Sequence, residues 1–212
     1  MNMILLGAPG AGKGTQGELI AEKLHIPTIS TGNMLREAMK NDTPLGRQVK
    51  TYMESGSLVP DDVILSLIAQ RIGEADCKNG FILDGVPRTL PQAEAMDANG
   101  IRIDHVVSLE VDDSEIAARM AGRRVCTQCG ASYHIVSNPT KTEGICDLCG
   151  GPVAVRKDDQ PETVKHRLEV YHASTEVLKT YYQAQGKFRL VYGNQPIADT
   201  HRDILRAIGE TV

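Results

Sequence analysis

Two groups of residues in this chain have types and spacings that carry chemistry: a glycine-rich run with a lysine, and four cysteines in two close pairs. The first is Gly7-Ala8-Pro9-Gly10-Ala11-Gly12-Lys13-Gly14-Thr15. Glycines let successive backbone N–H groups converge on one anion, a following helix adds the positive end of its dipole, and the lysine brings a mobile charge for the outer phosphates. Those ingredients make a phosphate-binding loop when a strand precedes the run and a helix follows it. The pattern meets that condition. Met1-Asn2-Met3-Ile4-Leu5-Leu6 is a short apolar run of the kind that forms a buried strand, and residues 16–24 space their apolar members for a helix. One detail departs from the general loop: Gly14 follows the lysine where Ser or Thr is usual, and the hydroxyl arrives one place later at Thr15.

The second group is Cys126-Thr127-Gln128-Cys129 and Cys146-Asp147-Leu148-Cys149, separated by sixteen residues. This is the spacing of a four-thiolate metal site, and a glycine after each pair (Gly130, Gly150) suits a tight turn that aims both sulfurs at one cation. Four thiolates leave no open coordination position, so the metal is expected to be structural and to fold a lobe too small for its own core. Zinc is the expected ion, with iron and cobalt as alternatives for a tetrahedral all-sulfur site. The fifth cysteine, Cys77, stands alone, and an odd count argues against a disulfide framework.

A third stretch, Phe81-Ile82-Leu83-Asp84-Gly85-Val86-Pro87-Arg88-Thr89, ends an apolar strand on an acid. Asp84 can then sit beside the phosphate loop and hold the hydration shell of Mg²⁺. Arg88 follows on a turn shaped by Gly and Pro, where its planar guanidinium can clamp a phosphate.

The elements that must position these residues follow from pattern. Strands are expected at residues 3–6, 27–30, 81–83, 105–109 and 188–192. Helices are expected at 14–24, 31–40, 45–55, 60–72, 89–99, 113–124, 161–185 and 202–208. Alternation of this kind favours an α/β fold whose parallel sheet is covered on both faces. Residues 30–59 add short helices without a strand, and residues 122–159 lose helical periodicity; both read as insertions on a central core.

At 212 residues the chain is long enough for one domain with insertions or two small domains. Its net charge of −4 argues against broad electrostatic binding of nucleic acid. From Arg119 to Lys157, however, six basic residues face two acidic ones, a local patch that suits a small polyanion. No signal peptide or membrane-spanning run is evident, so a cytoplasmic protein is expected.

Taken together, the Gly-x-Pro-Gly-x-Gly-Lys-Gly-Thr loop, the Asp-Gly-x-Pro-Arg segment and the cysteine lobe beginning near residue 122 resemble the adenylate kinase family, in its bacterial type with a four-cysteine metal-binding lid. The resemblance spans essentially the whole chain, and Gly14 is itself part of it. It implies a P-loop NTPase-type parallel five-stranded sheet flanked by helices, with a helical NMP-binding insertion and a small metal-binding lid. Residues 1–29, 60–121 and 160–212 would form the core, 30–59 the insertion and 122–159 the lid. The implied reaction is reversible phosphoryl transfer from MgATP to AMP, giving two ADP, by a monomer without nucleic-acid or membrane partners.

The resemblance also implies roles for single residues. Gly10, Ala11, Gly12, Lys13, Gly14 and Thr15 would cradle the ATP phosphates, with Arg119, Arg123, Ser132, Tyr133 and Gln195 completing the ATP side. Thr31, Arg36, Ser57, Leu58 and Val59 would meet AMP, together with Gly85, Val86, Pro87, Arg88 and Gln92. Arg156 and Arg167 would close on the phosphates, oriented by Asp158 and Asp159. The catalytic set would be Lys13, Asp84, Arg88, Arg123, Arg156 and Arg167. Val86 is a small departure, since many relatives carry Phe there.

Independently of resemblance, phosphoryl transfer asks for positioning and charge neutralisation rather than covalent chemistry. No Ser/His/Asp or Cys/His arrangement competes, and neither His134 nor His166 is required as a base, because a monophosphate acceptor is already ionised. Three alternatives stand beside this reading. A UMP/CMP kinase would share the fold. A GTPase-like switch is disfavoured by Gly14 and by the lack of an Asn-Lys-x-Asp segment. A P-loop ATPase with a nucleic-acid-binding zinc ribbon would also use the basic cysteine lobe.

Overall fold

The computed structural model describes residues 1–211. The apolar run at the start of the chain forms β1 (Asn2–Leu6), buried from its second residue onward. After the glycine loop come α1 (Lys13–Leu24), β2 (Thr28–Ser30), α2 (Thr31–Lys40), α3 (Pro44–Ser55), α4 (Asp61–Ile72), β3 (Phe81–Asp84), α5 (Leu90–Ala98), β4 (His105–Glu110) and α6 (Asp113–Gly122). Three short strands follow, β5 (Arg123–Cys126), β6 (Ser132–His134) and β7 (Val153–Ala154), and then α7 (Pro161–Val170), α8 (Val177–Ala184), β8 (Phe188–Tyr192) and α9 (Ile197–Ala207).

The main sheet has five strands in the order β2-β3-β1-β4-β8, all parallel. β1 sits at its centre, with Asn2 opposite Phe81 on one side and Met3 opposite His105 on the other. A strand paired on both edges and covered on both faces must be apolar throughout, which is why it reads as an unbroken hydrophobic run. Its alternate side chains serve two cores. Ile4 and Leu6 pack with Leu83, Val106, Leu178 and Tyr182, while Met3 and Leu5 pack with Ile20, Val107, Ile204 and Leu205. Between the carboxyl ends of β1, β3 and β4 lies the topological switch point, where open α/β sheets bind ligands.

Local chemistry fixes several helix starts. Thr43 accepts from the Gly46 N–H at the head of α3, and Thr89 accepts from the Gln92 N–H at the head of α5. Asp61 and Asp62 stand in the first turn of α4, on the favourable side of its dipole.

The structure corrects three expected boundaries. The helix expected over 113–124 stops at Gly122, because Arg123 turns extended and pairs with His134 in the small antiparallel sheet β6-β5-β7. Residues 161–185 do not form one helix: a π-helical turn, Tyr171–Thr175, separates α7 from α8. The last helix begins at Ile197, directly after Pro196, rather than at residue 202. No helix among the described residues is long and apolar enough to cross a membrane.

Candidate active site

The glycine loop leaves the carboxyl end of β1 and delivers the chain to the N-terminus of α1. Gly7, Gly10 and Gly12 have φ of 134°, 89° and 99°, a region that strains any residue with a β-carbon. Lys13 opens the helix and folds back over the loop, its Nζ donating to the carbonyls of Gly7 at 2.7 Å and Ala8 at 2.8 Å. Burial pushes its pKa down to about 8; Asp84 works against that shift, and Arg88, Arg167 and Arg123 add to it.

A cavity of about 720 Å³ opens on this loop. Gly10 to Thr15 line it, as do Arg119, Arg123, Ser132, Tyr133 and Gln195. Asp84, Gly85, Pro87, Arg88, Arg156 and Arg167 line it as well. Gln195 is held by bonds from its Nε2 to Asp203 Oδ2 at 2.8 Å and to the Tyr192 carbonyl at 3.2 Å.

Two adjacent acids order the arginines. Asp158 and Asp159 lie in the 3₁₀ turn Lys157–Asp159, which joins the small sheet to α7, and both are buried. Arg156 meets Asp158 through Nε at 2.9 Å and Nη2 at 2.5 Å, and Arg123 forks onto Asp159, with Nε at 2.7 Å from Oδ2. Arg167 reaches both, at 3.1 Å from Asp158 Oδ2 and 3.3 Å from Asp159 Oδ1. Burial opposes the charge on Asp158, but Arg156 and Arg167 outweigh it and hold its pKa at about 2. Burial, ahead of any neighbouring charge, lowers Arg36 to about 9 and Arg167 to about 10. Lys13, Arg36, Arg88, Arg123, Arg156 and Arg167 thus crowd around Asp84, Asp158 and Asp159, an excess of half-buried positive charge that fits a polyanionic ligand.

A smaller cavity, about 50 Å³, adjoins the first and shares Arg36, Arg88, Arg156 and Arg167 with it. Thr31, Ser57, Leu58, Val59, Gly85 and Gln92 also line it. The Thr31 hydroxyl donates to the Gly85 carbonyl at 3.0 Å. Arg88 is half-buried; its Nε donates to the Gly85 carbonyl at 2.8 Å and its backbone N–H donates to Gln92 Oε1 at 2.7 Å. Val86 goes elsewhere: it is 1% exposed, packs in the core beside Leu83 and Ala93, and lines neither cavity.

Two residues bonded to the site have no counterpart in the sequence analysis. Asp61 accepts from Gln92 Nε2 at 2.7 Å and from the Thr89 hydroxyl at 3.0 Å. In the sequence it is one of two acids after a proline, a helix-start signal that gives no hint of this contact. Thr175, in the π turn, donates to the Arg88 carbonyl at 2.8 Å. Its only signal would have been a phase slip in a helix, which one sequence does not display.

The four cysteines gather in the small sheet, with all their sulfurs within 4.8 Å of one another. Cys126 and Cys149 are 3.5 Å apart, as are Cys129 and Cys146, far beyond a disulfide bond of about 2.05 Å. Metal–sulfur bonds of about 2.3 Å in a tetrahedron would set sulfurs about 3.8 Å apart, so the cluster fits one ion. The N–H groups of Gln128 and Cys129 point to Cys126 Sγ at 3.4 and 3.5 Å, the knuckle that the glycine spacing suggests. The Tyr133 hydroxyl lies 3.2 Å from Cys146 Sγ, where it can donate to a thiolate, and accepts from the Asp147 N–H at 2.9 Å.

Known proteins share this sequence pattern at length. A family profile described as "Adenylate kinase" matches residues 5–187. The chain is 54% identical over 213 residues to the adenylate kinase of Lachnospira eligens, covering 99% of this chain and 100% of that one. It is 52% identical to the adenylate kinase of Caldicellulosiruptor bescii, with 99% of each covered. Its identity to that of Geobacter sp. strain M21 is 50%, over 98% of this chain and 99% of the relative.

Proposed function

Since the chain belongs to the adenylate kinase family, phosphotransferases that act on adenine nucleotides, we propose that it transfers the terminal phosphoryl group of MgATP reversibly to AMP, forming two ADP and balancing the adenine nucleotide pool. The observation that carries this reading is the pair of adjoining cavities with shared arginines. One contains the phosphate loop and suits the donor; the other contains Thr31, Ser57, Val59 and Gln92 and suits the acceptor. Arg36, Arg88, Arg156 and Arg167 stand where the two phosphate chains would meet.

In this mechanism Lys13 exchanges the Gly7 and Ala8 carbonyls for oxygens of the transferring phosphate. Arg36 and Arg88 hold the acceptor phosphate in line. Arg123, Arg156 and Arg167, pre-oriented by Asp158 and Asp159, neutralise charge spread over the equatorial oxygens. The acceptor phosphate is already anionic, so no side chain needs to remove a proton. Thr15 and Asp84 line the same cavity, and among the described residues the Asp84 carboxylate has no ion-pair partner, a donor set that fits a hydrated Mg²⁺. When bound, that ion supplies charge neutralisation across the outer phosphates.

Water must be excluded or the nucleotide is hydrolysed, which gives the two insertions a purpose. Residues 30–59 would close over AMP and residues 122–159 over ATP. Contacts between them support this: Lys40 Nζ lies 3.1 Å from the Gln128 carbonyl, and Lys157 Nζ lies 3.3 Å from Glu54 Oε1. The cysteine cluster would hold zinc as a structural ion, and the chain would act as a cytoplasmic monomer.

The test is ADP formation from MgATP with AMP, UMP, CMP and GMP offered separately. Rapid ADP formation with AMP alone is expected. Preference for UMP or CMP would move the protein to a different kinase, and hydrolysis stimulated by DNA or RNA without any acceptor would overturn the reading.

A further inference from the structure

The π turn between α7 and α8 is more than an irregularity in a helix. Its signature is the Glu176 N–H donating to the Tyr171 carbonyl, five residues back, at 3.1 Å. The extra residue per turn shifts the phase of the chain, and Tyr171 and Thr175 are both buried and both line the large cavity. From there the Thr175 hydroxyl donates to the Arg88 carbonyl at 2.8 Å. Arg88 is otherwise held by its own loop and helix, through Gly85 and Gln92. Thr175 supplies a bond to it from a distant part of the chain.

The turn that carries Thr175 is itself tied down on two sides. His172 Nε2 lies 3.0 Å from Asp113 in the first turn of α6, and its Nδ1 lies 3.0 Å from Glu176. Lys179 bridges Glu176 at 3.1 Å and Glu110, at the end of β4, at 2.8 Å. The turn is therefore fixed both to the central sheet and to the helix that leads into the cysteine lobe.

We propose that Thr175 is a positioning residue for phosphoryl transfer: it fixes the backbone of Arg88 from the π turn, so that the guanidinium meets the acceptor phosphate at the correct angle. The proposal rests on the reading above that Arg88 contacts AMP. A purely structural hydroxyl would affect stability alone, or both substrates equally. A positioning hydroxyl affects the acceptor.

The experiment compares the full-length protein with Thr175→Val, which keeps the shape and removes the donor, and Thr175→Ser, which keeps the donor. Steady-state kinetics with each substrate varied in turn, AMP titration calorimetry and thermal melts are recorded for all three. Thr175→Val should raise KM for AMP about tenfold and weaken AMP binding to match, with KM for ATP within about twofold of the parent, whereas Thr175→Ser should restore both AMP values. Should the valine variant fail to fold, Thr175→Ala removes the same donor and carries the same expectation. Equal changes in both KM values, no change in either, or no rescue by serine would overturn the role of Thr175 while leaving the kinase reading intact. A parent protein that forms no ADP from AMP and MgATP would overturn that reading, and this proposal with it.

Discussion

Lys13 has an ammonium group that the fold both needs and penalises. Its pKa in an unfolded chain is 10.5, and burial lowers it to about 8 in the folded protein. Between those values the unfolded chain binds a proton that the native one does not, so stability attributable to this residue rises with pH from about 8 to 10.5 and is at its lowest below 8. Bound phosphates reverse the balance by favouring the charged form. Nucleotide binding near pH 8.5 should therefore take up protons, and calorimetric enthalpies measured in buffers of different ionisation enthalpy should diverge accordingly; identical enthalpies would contradict the assignment. Lys13→Met should lower kcat by roughly 10² to 10⁴ without lowering the melting temperature, since it removes a charge-assisted contact to the transferring group along with a desolvation cost.

Helices α2 and α3 carry Arg36 and the residues around Ser57, and their contact has no slack. A β-carbon on Gly46 would come within 2.1 Å of the Ala38 carbonyl oxygen. Gly46→Ala should cost about 1–3 kcal/mol, or roughly 2–12 °C in a chain of this length, as read by circular dichroism melts. Because the displaced helix lines the smaller cavity, proposed above for the acceptor, KM for AMP should rise more than KM for ATP. These helices were legible in the sequence because a buried face imposes a period on the residues, and the parallel strands because burial on both faces makes them short apolar runs. The small sheet was not legible as strands: Arg123-Arg124-Val125-Cys126 shows no alternation, and its conformation follows from the cysteine cluster rather than from an apolar face. The π turn left no trace either, since a one-residue slip inside residues 161–185 preserves apolar spacing on both sides. In the site, residues close to a motif were readable from it. Asp61 and Thr175 act from other elements, and only folding brings them to Gln92 and Arg88.

At the scale of the molecule, the cysteine lobe has little core of its own: Cys126, Tyr133 and Cys146 form its buried cluster. Its order should come from the ion. Chelation under reducing conditions and Cys146→Ser should each lower the melting temperature; a loss of about 3 kcal/mol corresponds to roughly 6–12 °C. Elemental analysis should find about one metal per chain before chelation. Loss of kcat with an unchanged melting temperature would contradict a structural ion. The order of strands in the main sheet has a consequence of another kind, for biosynthesis. β1 precedes the other strands in the sequence yet lies in the middle, and its partners in β3 and β4 begin at Phe81 and His105. At about 5–20 residues per second, the ribosome leaves this apolar strand without a hydrogen-bonding neighbour for about 4 to 16 s, until β3 is made. During that interval the most hydrophobic strand of the sheet has both edges free, so nascent chains that have not yet reached β3 should be the most exposed to aggregation.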